Sequence, residues 1–333
     1  MHLRIGLVLL LLVLLAAPGA VAAGPDVVIY SGRSKSLVAP LIVQLQRETG
    51  LKVEVRYGKT AALALTLQEE GARSPADLYW AQDAGALATL SRKGLLARLP
   101  EALLARVPAE LRGAQGTWVG TSGRARVLAY STRRIKPEEL PKSVFDLTAP
   151  KWKGRVGWAP MNASFQAFVT AMRIHHGDEK TLAWLRAMKE NGAKAYPKNT
   201  PILQALAAGE IDLGLPNHYY LLRFKAADKN FPVAQTTFAK GDIGNLLNVA
   251  GAGILKSSKR KEAAQRCLAF LLSPKAQQYF TSSVFEYPVI EGVIPNPSLL
   301  PLRQLREQAA PVDLGKLDGL PATLKMLREA GLL

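Results

Sequence analysis

Two adjacent tyrosines, Tyr219 and Tyr220, are the residues of this sequence whose type and spacing best suit metal chemistry. They follow Asn217 and the apolar run 211–215, which is typical of a short strand, and they precede the helical pattern 221–226. The pair is therefore predicted at a strand-to-helix junction, where the ligand sites of open α/β sheets lie. Neighbouring side chains in a first helical turn diverge by about 100°, so both phenols could still converge on one ligand in a cleft.

A phenolate oxygen is a hard, negatively charged ligand, which suits a small, highly charged cation such as Fe³⁺ better than a soft metal. Ferric iron would also bring the phenol pKa well below its free value of about 10. The alternative is that Tyr219 and Tyr220 are ordinary half-buried aromatic residues, since tyrosine is commonly intermediate in burial. Taken alone, the dipeptide favours this second interpretation.

Motifs of common hydrolases and nucleotide-binding proteins are absent from the sequence, which has no G-x-S-x-G elbow, Walker A loop or H-E-x-x-H pair. Besides His2, the histidines are His175 and His176, expected at a solvated helix end, and His218, a less favoured candidate ligand. With so few histidines and no carboxylate pair evident from spacing, an enzyme is poorly supported.

The first part of the chain alternates between strand and helix patterns. Strands are predicted at 27–30, 51–57 and 77–80, and helices at 37–48 and 61–68. This rhythm indicates a mostly parallel sheet covered on both faces. Ligands of such sheets bind beyond the carboxyl ends of the strands, which here are the turns at 31–34 and 81–83.

The second part of the chain has the pattern of a further α/β unit. A strand at 125–130 could cross into a second domain, and a largely apolar strand at 247–255 could return from it. Between them, one helix is predicted to open within 160–164 and to run to about 175, and others at 182–189 and 201–208; three more follow at 261–272, 276–281 and 322–330. A mature length of about 310 residues is ample for two domains.

The N-terminus has the pattern of a secretory signal, with an apolar run at 5–15 and the small-residue cleavage motif Ala20-Val21-Ala22. The run is shorter than the about 20 residues that a membrane span needs. The mature chain is therefore predicted to begin near Ala23 and to be soluble outside the cytoplasm. Its single cysteine, Cys267, leaves no internal disulfide to stabilise the exported protein.

The chain is strongly basic, with 43 Lys and Arg against 26 Asp and Glu residues and a formal net charge of +17. The positive residues are scattered, without an arginine-rich arm or an aromatic RNA-binding motif, so nucleic acid is not an expected partner. For an exported chain, acidic surfaces or small anions are the expected partners of this charge.

Several short segments together resemble those of the periplasmic ferric-ion-binding proteins of bacterial ABC-type iron importers. They are Ser122-Gly123-Arg124, residues 152–157, Pro197-Lys198-Asn199, residues 209–212, Asn217 with Tyr219-Tyr220, and Glu286-Tyr287-Pro288. The resemblance extends from about residue 27 to residue 333. It implies a two-lobed α/β fold of the type II periplasmic-binding-protein class, similar to a transferrin lobe, with two hinge-crossing strands near 124–129 and 247–252.

The resemblance also implies a division of the chain. Residues 1–22 would be the signal peptide, residues 23–124 and 250–300 one lobe, and residues 125–249 the other lobe. The C-terminal helices at 301–333 would pack on the second of these lobes.

Within this resemblance, Tyr219 and Tyr220 match the paired tyrosine ligands of ferric iron. The residues that match the binding site of a synergistic anion are Arg124, Asn162, Ala163, Ser164, Asn199 and Asn217. A helix start attracts anions through its free N–H groups and its dipole, and arginine can grip a planar oxyanion with two parallel hydrogen bonds. Carbonate or bicarbonate is the favoured anion, with phosphate as the alternative.

Two positions depart from the family pattern. Ser34 and Gln82 stand where many members have a histidine and a glutamate, and neither brings a negative charge, while Arg33 adds a positive one nearby. Phe165 lies near the place of a third tyrosine found in some branches, which leaves Tyr196 as a further candidate ligand. The sequence thus resembles the branch whose iron site relies on tyrosines and an exogenous anion.

The resemblance implies a periplasmic receptor that captures Fe³⁺ and delivers it, as a monomer, to an ABC permease and its ATPase. The main alternative is a receptor for another ligand on the same fold, such as an oxyanion, a phosphonate or an organic cation. Loss of two metal-binding positions and gain of an arginine would fit that alternative. An exported enzyme on this scaffold is the least favoured interpretation.

Overall fold

Two mixed β-sheets, each flanked by helices, build two lobes in the computed structural model, which describes residues 24–333. The signal peptide predicted at 1–22 lies outside the described residues. The strands are β1 (Val27–Ser31), β2 (Val53–Tyr57), β3 (Leu78–Ala81), β4 (Val119–Ala125), β5 (Leu128–Ser131), β6 (Val156–Trp158), β7 (Lys194–Ala195), β8 (Leu213–Gly214), β9 (Val233–Thr236) and β10 (Leu247–Ile254).

The helices cover these sheets and occupy most of the connections between strands. They are α1 (Lys35–Thr49), α2 (Thr60–Glu70), α3 (Ala84–Arg92), α4 (Glu101–Leu104), α5 (Ala163–His176), α6 (Asp178–Glu190), α7 (Asn199–Ala208), α8 (His218–Ala227), α9 (Lys261–Leu271), α10 (Pro274–Tyr279), α11 (Leu302–Gln308) and α12 (Leu320–Glu329). The predicted strand and helix alternation of the first part is confirmed by β1, α1, β2, α2 and β3.

The first lobe is built on a sheet of order β2-β1-β3-β10-β4. β1 runs parallel to β2 and β3, whereas β10 is antiparallel to β3 and β4. All five residues of β1 are buried, because helices cover both faces of a largely parallel sheet. The lobe is thus the α/β unit that the sequence pattern predicts, with one antiparallel strand added from the far end of the chain.

The second lobe is built on a sheet of order β7-β6-β8-β5-β9. Aromatic side chains form the contact between β6 and helices α5 and α6: the ring centroids of Trp158 and Phe165 are 5.6 Å apart, and those of Trp158 and Trp184 are 5.9 Å apart. Edge-to-face packing of this kind adds stability beyond the area that it buries. It fixes the N-terminus of α5 at the edge of this lobe that faces the first lobe.

The chain crosses between the lobes twice. It leaves the first sheet at Ala125 and enters the second sheet at Leu128, so the single strand predicted at 125–130 is split between the two sheets. It leaves the second sheet at Thr236 and re-enters the first at Leu247. β10 pairs with the first sheet from its first residue, so the return crossing precedes 247 rather than lying within 247–252.

The C-terminal segment contacts both lobes. α12 packs on α5, where the hydroxyls of Thr170 and Thr323 are 2.7 Å apart. The helical turn Leu314–Lys316 packs against α3 of the first lobe. The approach is close enough that a Cβ at Gly85 would lie 2.3 Å from the carbonyl oxygen of Leu317. Among the described residues, no helix is long and apolar enough to cross a membrane.

Candidate metal centre

The two adjacent tyrosines lie in the first turn of α8, directly after the short strand β8. Asn217 precedes them as an extended N-cap residue, with φ −85° and ψ 149°. The rings of Tyr219 and Tyr220 are stacked, with centroids 4.3 Å apart and 28° between their planes. Tyr219 is 3% exposed and Tyr220 is half-buried, so the two phenols point the same way from the junction that the sequence predicts.

Without a bound cation, Tyr219 is a neutral phenol at physiological pH. Burial raises its pKa well above the ordinary value, and the neighbouring Tyr220 raises it further, against an opposing effect of Arg124. A cation that binds this oxygen must therefore displace the proton, and only a strong Lewis acid can do so near neutral pH.

Two arginines lie close to the phenols, Arg124 in β4 and Arg126 in the crossing that follows this strand. Arg124 in β4 is 2% exposed, and neither of its terminal nitrogens has a hydrogen-bond partner among residues 24–333. Arg126, also 2% exposed, donates to neutral oxygens, from Nη1 to the Leu215 carbonyl (2.5 Å) and from Nη2 to Ser164 Oγ (3.2 Å). Its Nε has no partner in the described part of the chain.

Arg126 is held among aromatic rings, with its guanidinium carbon 5.5 Å from the centroid of Phe165 and 5.2 Å from that of Phe168. Burial, together with the charge of Arg124, lowers its pKa to about 9, while Tyr219 and Tyr220 oppose this effect. Two buried cations so close to each other are stabilised by a negative charge between them. This part of the cleft is therefore suited to an anion.

A narrow cavity connects these groups. It is lined by Arg124, Arg126, Ser164, Asn217, Leu246 and Asn248. Asn217 Nδ2, like the free nitrogens of the two arginines, is a buried donor that lacks an acceptor within residues 24–333. Buried donors are rarely left unpaired, because each costs about 1–3 kcal/mol. An oxyanion in the cavity would supply the missing acceptors.

The start of α5 closes one side of this cavity. Asn162 is the N-cap, and its side-chain oxygen accepts hydrogen bonds from Ser164 N (3.0 Å) and Ser164 Oγ (2.6 Å). Ala163 is exposed at the same turn. Asn199, at the start of α7, is buried, and its Nδ2 has no partner in the described region.

In the first lobe, the side chains of Arg33, Gln82 and Glu286 are hydrogen-bonded to one another rather than free to bind a ligand. Arg33 is buried and donates from Nη1 (3.1 Å) and Nη2 (2.8 Å) to the two carboxylate oxygens of Glu286, and from Nη1 to Gln82 Oε1 (3.2 Å). Burial raises the pKa of Glu286, but Arg33, Arg124 and Ser122 outweigh it and hold the pKa below its ordinary value. The charge expected from Arg33 is thus neutralised by Glu286. Ser34 is exposed.

Tyr196 is engaged elsewhere. Its hydroxyl donates to Glu210 Oε1 at 2.8 Å, and burial together with this carboxylate raises its pKa.

Both ring nitrogens of His218 are hydrogen-bonded, because Nδ1 accepts from the Ala125 N–H (3.1 Å) and Nε2 donates to the Phe285 carbonyl (2.8 Å). Burial lowers the pKa of His218 to about 4, so the ring is neutral at physiological pH.

Two residues of this arrangement were not predicted as site residues from the sequence, although Glu286 lies in one of the segments that carry the resemblance. Arg126 is two positions after Arg124, a spacing that places side chains on one face of a strand, and this signal could have identified it. Glu286 is 253 positions from Arg33, and no spacing pattern connects them. Within residues 24–333, no group of three or more His, Cys, Asp or Glu side chains could hold a metal ion.

Comparisons with known proteins agree with this architecture. Residues 73–308 match the family model described as bacterial extracellular solute-binding protein. The chain is 35% identical over 325 residues to the Fe(3+)-binding periplasmic protein of Serratia marcescens, covering 96% of this chain and 95% of the relative. It is 36% identical over 326 residues to the major ferric iron-binding protein of Neisseria meningitidis, covering 95% and 96%.

Solved structures of similar proteins have the same fold. The crystal structure of iron-bound HitA from Pseudomonas aeruginosa matches with a TM-score of 0.86 and 35% identity, over 92% of this chain and 99% of that one. The Trichodesmium protein in complex with iron and citrate ligands matches with a TM-score of 0.79 and 28% identity, over 92% and 99%.

Proposed function

Since this chain belongs to the family of bacterial extracellular solute-binding proteins, we propose that it is a periplasmic receptor for ferric iron. The observation that carries the proposal is the stacked pair Tyr219 and Tyr220 beside buried, unpaired arginine donors. Hard phenolate oxygens suit Fe³⁺. The relatives named for ferric iron binding, which match nearly the whole chain, support the same ligand.

A second component of the proposed site is a synergistic anion. Two phenolates bring two negative charges to a triply charged ion, which leaves the centre positive and coordination positions open. An anion between Arg124, Arg126 and Ser164 would supply both charge and oxygen ligands. Carbonate is favoured over phosphate, because a planar anion matches the guanidinium geometry and can chelate the metal with two oxygens. Asn162, Ala163, Asn199 and Asn217 are proposed to complete the surroundings of this anion.

The experiment that tests the function is a titration of the purified protein with ferric citrate, followed by visible absorption. Phenolate-to-iron charge transfer gives a coloured complex. Mutation of an outer-shell residue typically weakens metal binding about 10–100-fold. Tyr219→Phe and Tyr220→Phe should each weaken iron binding by a larger factor. Folding should remain nearly intact, because only one hydroxyl is removed.

Tyr57→Phe is the matched control, since Tyr57 is a half-buried tyrosine on the far strand β2. It should bind iron as the wild type does. A Tyr219→Phe or Tyr220→Phe protein with wild-type affinity and an unchanged band would overturn the proposed ligands.

The proposed receptor acts as a monomer, hands its cargo to an ABC permease and its ATPase, and catalyses no reaction. A receptor for an oxyanion alone is the second candidate, and the unpaired donors of Arg124 and Arg126 favour it. The same titration separates the two, because an oxyanion complex does not absorb visible light. A colourless protein that binds carbonate or phosphate without iron would support the second candidate.

A further inference from the structure

We propose that His218 is a positioning residue that fastens the first turn of α8, and with it the phenols of Tyr219 and Tyr220, to the hinge side of the first lobe. The iron-binding measurements that test this inference rest on the proposed function, whereas the hydrogen-exchange measurement concerns only α8. His218 touches no ligand in this scheme and acts through the backbone that carries the two tyrosines.

The ring of His218 bridges two segments that belong to the first lobe. Nδ1 accepts from the backbone N–H of Ala125, the last residue of β4 before the first crossing, at 3.1 Å. Nε2 donates to the carbonyl of Phe285 at 2.8 Å. The side chain is 2% exposed, so water cannot replace either bond. His218, a residue of the second lobe, is thus hydrogen-bonded to the first lobe through both of its ring nitrogens.

Phe285 has a backbone conformation that is unusual for its residue type. Its φ is 62°, and it is the one non-glycine residue within 24–333 with a positive φ. A bulky residue in this region is strained and persists only where its surroundings hold it. The next residue, Glu286, is held by Arg33 through two hydrogen bonds and by Ser122. The carbonyl that His218 meets is therefore fixed in place from the first lobe.

The ring also contacts the tyrosine beside it. The centroids of His218 and Tyr219 are 5.6 Å apart and nearly perpendicular, and those of His218 and Tyr287 are 4.7 Å apart. A neutral imidazole supplies one acceptor and one donor at opposite ends of a rigid ring. Asparagine or glutamine can reproduce one of these bonds but not both at once. The site accordingly calls for histidine rather than for any buried polar residue.

The test compares His218→Phe, which keeps a ring and loses both bonds, with His218→Asn and His218→Gln, which can each keep one. Per folded protein, His218→Phe should bind ferric citrate about 10–100-fold more weakly, the range typical of outer-shell metal residues. Its charge-transfer band should also shift. The two amide variants should fall between His218→Phe and the wild type. If His218→Phe does not fold, a shifted band and weaker binding in either folded amide variant decide the question.

Gln277→Met is the control for a general loss of stability. Gln277 is buried in the first lobe and bonds the carbonyls of Thr121 and Leu271, so its replacement should lower the melting temperature and leave the band unchanged. A folded His218→Phe protein with wild-type affinity and band, or a Gln277→Met protein with the same shift as His218→Phe, would overturn the proposal.

An iron-free readout separates this proposal from the proposed function. In the apo protein, amide hydrogen exchange at residues 219–222 should be faster in His218→Phe than in the wild type and in Gln277→Met. If the wild type binds no iron, the ferric function fails while this measurement still decides the role of His218. Unchanged exchange at α8 would mean that the ring does not hold the turn.

Discussion

At the scale of single residues, the phenol protons determine how the site should respond to pH. Burial already raises the pKa of Tyr219, so the free protein carries a protonated phenol at this position, and iron binding must release that proton. Apparent affinity should therefore fall as pH falls, by about ten-fold per pH unit for each proton released. A titration with ferric citrate between about pH 5.5 and 7.5, with proton release followed by an indicator dye, measures both quantities. Affinity independent of pH would mean that the phenols do not bind as phenolates.

The unpaired donors of Arg124 lead to a second prediction. In carbonate-free buffer the wild type should bind iron weakly, and added bicarbonate should restore binding more effectively than phosphate. Arg124→Ala should lose most of this response, because it removes the two free terminal nitrogens. Arg98→Ala is a matched control, since the Arg98 side chain is 73% exposed. Tight binding without any anion, unchanged in Arg124→Ala, would mean that other side chains complete the site.

At this scale, the sequence predicts the position of residues that are adjacent in the chain and gives no sign of pairings between distant residues. The adjacent Tyr219 and Tyr220 are visible as a dipeptide, and their place after a short strand follows from hydrophobic pattern. The pairing of Arg33 with Glu286 depends on how the two ends of the first lobe meet. The strained backbone of Phe285 carries no signal in its residue type.

At the scale of elements, the N-terminus of α5 should contribute to stability and to the anion site together. Asn162→Ala removes a cap that accepts from Ser164 N and Oγ, and it should cost about 1 kcal/mol in the free energy of unfolding. It should also weaken the bicarbonate response, because Ser164 is held by Asn162 and receives a hydrogen bond from Arg126. Denaturant unfolding and the iron titration measure the two effects.

Ser273→Ala is the matched control, because Ser273 caps α10 by accepting from Ala276 N at 3.3 Å, in the first lobe. It should lower stability by a similar amount without changing the response to bicarbonate. If both variants change that response equally, the effect belongs to stability and not to the anion site.

Elements with a strong period were predicted well, and crossings were not. The helix predicted to open within 160–164 and to run to about 175 corresponds to α5, whose Gly177 ends a regular apolar face. By contrast, residues 125–130 have the pattern of one strand, yet they are divided between two sheets. Hydrophobic alternation reports which side chains are buried but not which sheet buries them. The split at Arg126 and Val127 therefore could not be located from the sequence.

At the scale of the whole molecule, the family resemblance predicted the two-lobed fold, which hydrophobic periodicity alone did not. Strand and helix order predicted an α/β class, but pairing of β10 between β3 and β4 joins residues far apart in sequence. The contacts of Leu314–Lys316 with the first lobe and of α12 with the second likewise have no local signal. Such pairing between distant parts of the chain depends on how the buried faces of all the helices and strands pack together.

The arrangement of donors across the two lobes predicts closure on binding. Tyr219 and Tyr220 extend from the second lobe and Arg124 from the first, so an iron–anion pair held by all three would favour the closed form and shift the population toward it. Hinge motion is expected at the two crossings, 125–128 and 236–247. Small-angle scattering should give a smaller radius of gyration with iron and bicarbonate than without them. Tyr219→Phe, treated identically, should keep the radius of the free protein. An unchanged radius in wild-type protein whose colour confirms bound iron would mean that the cleft does not close around its cargo.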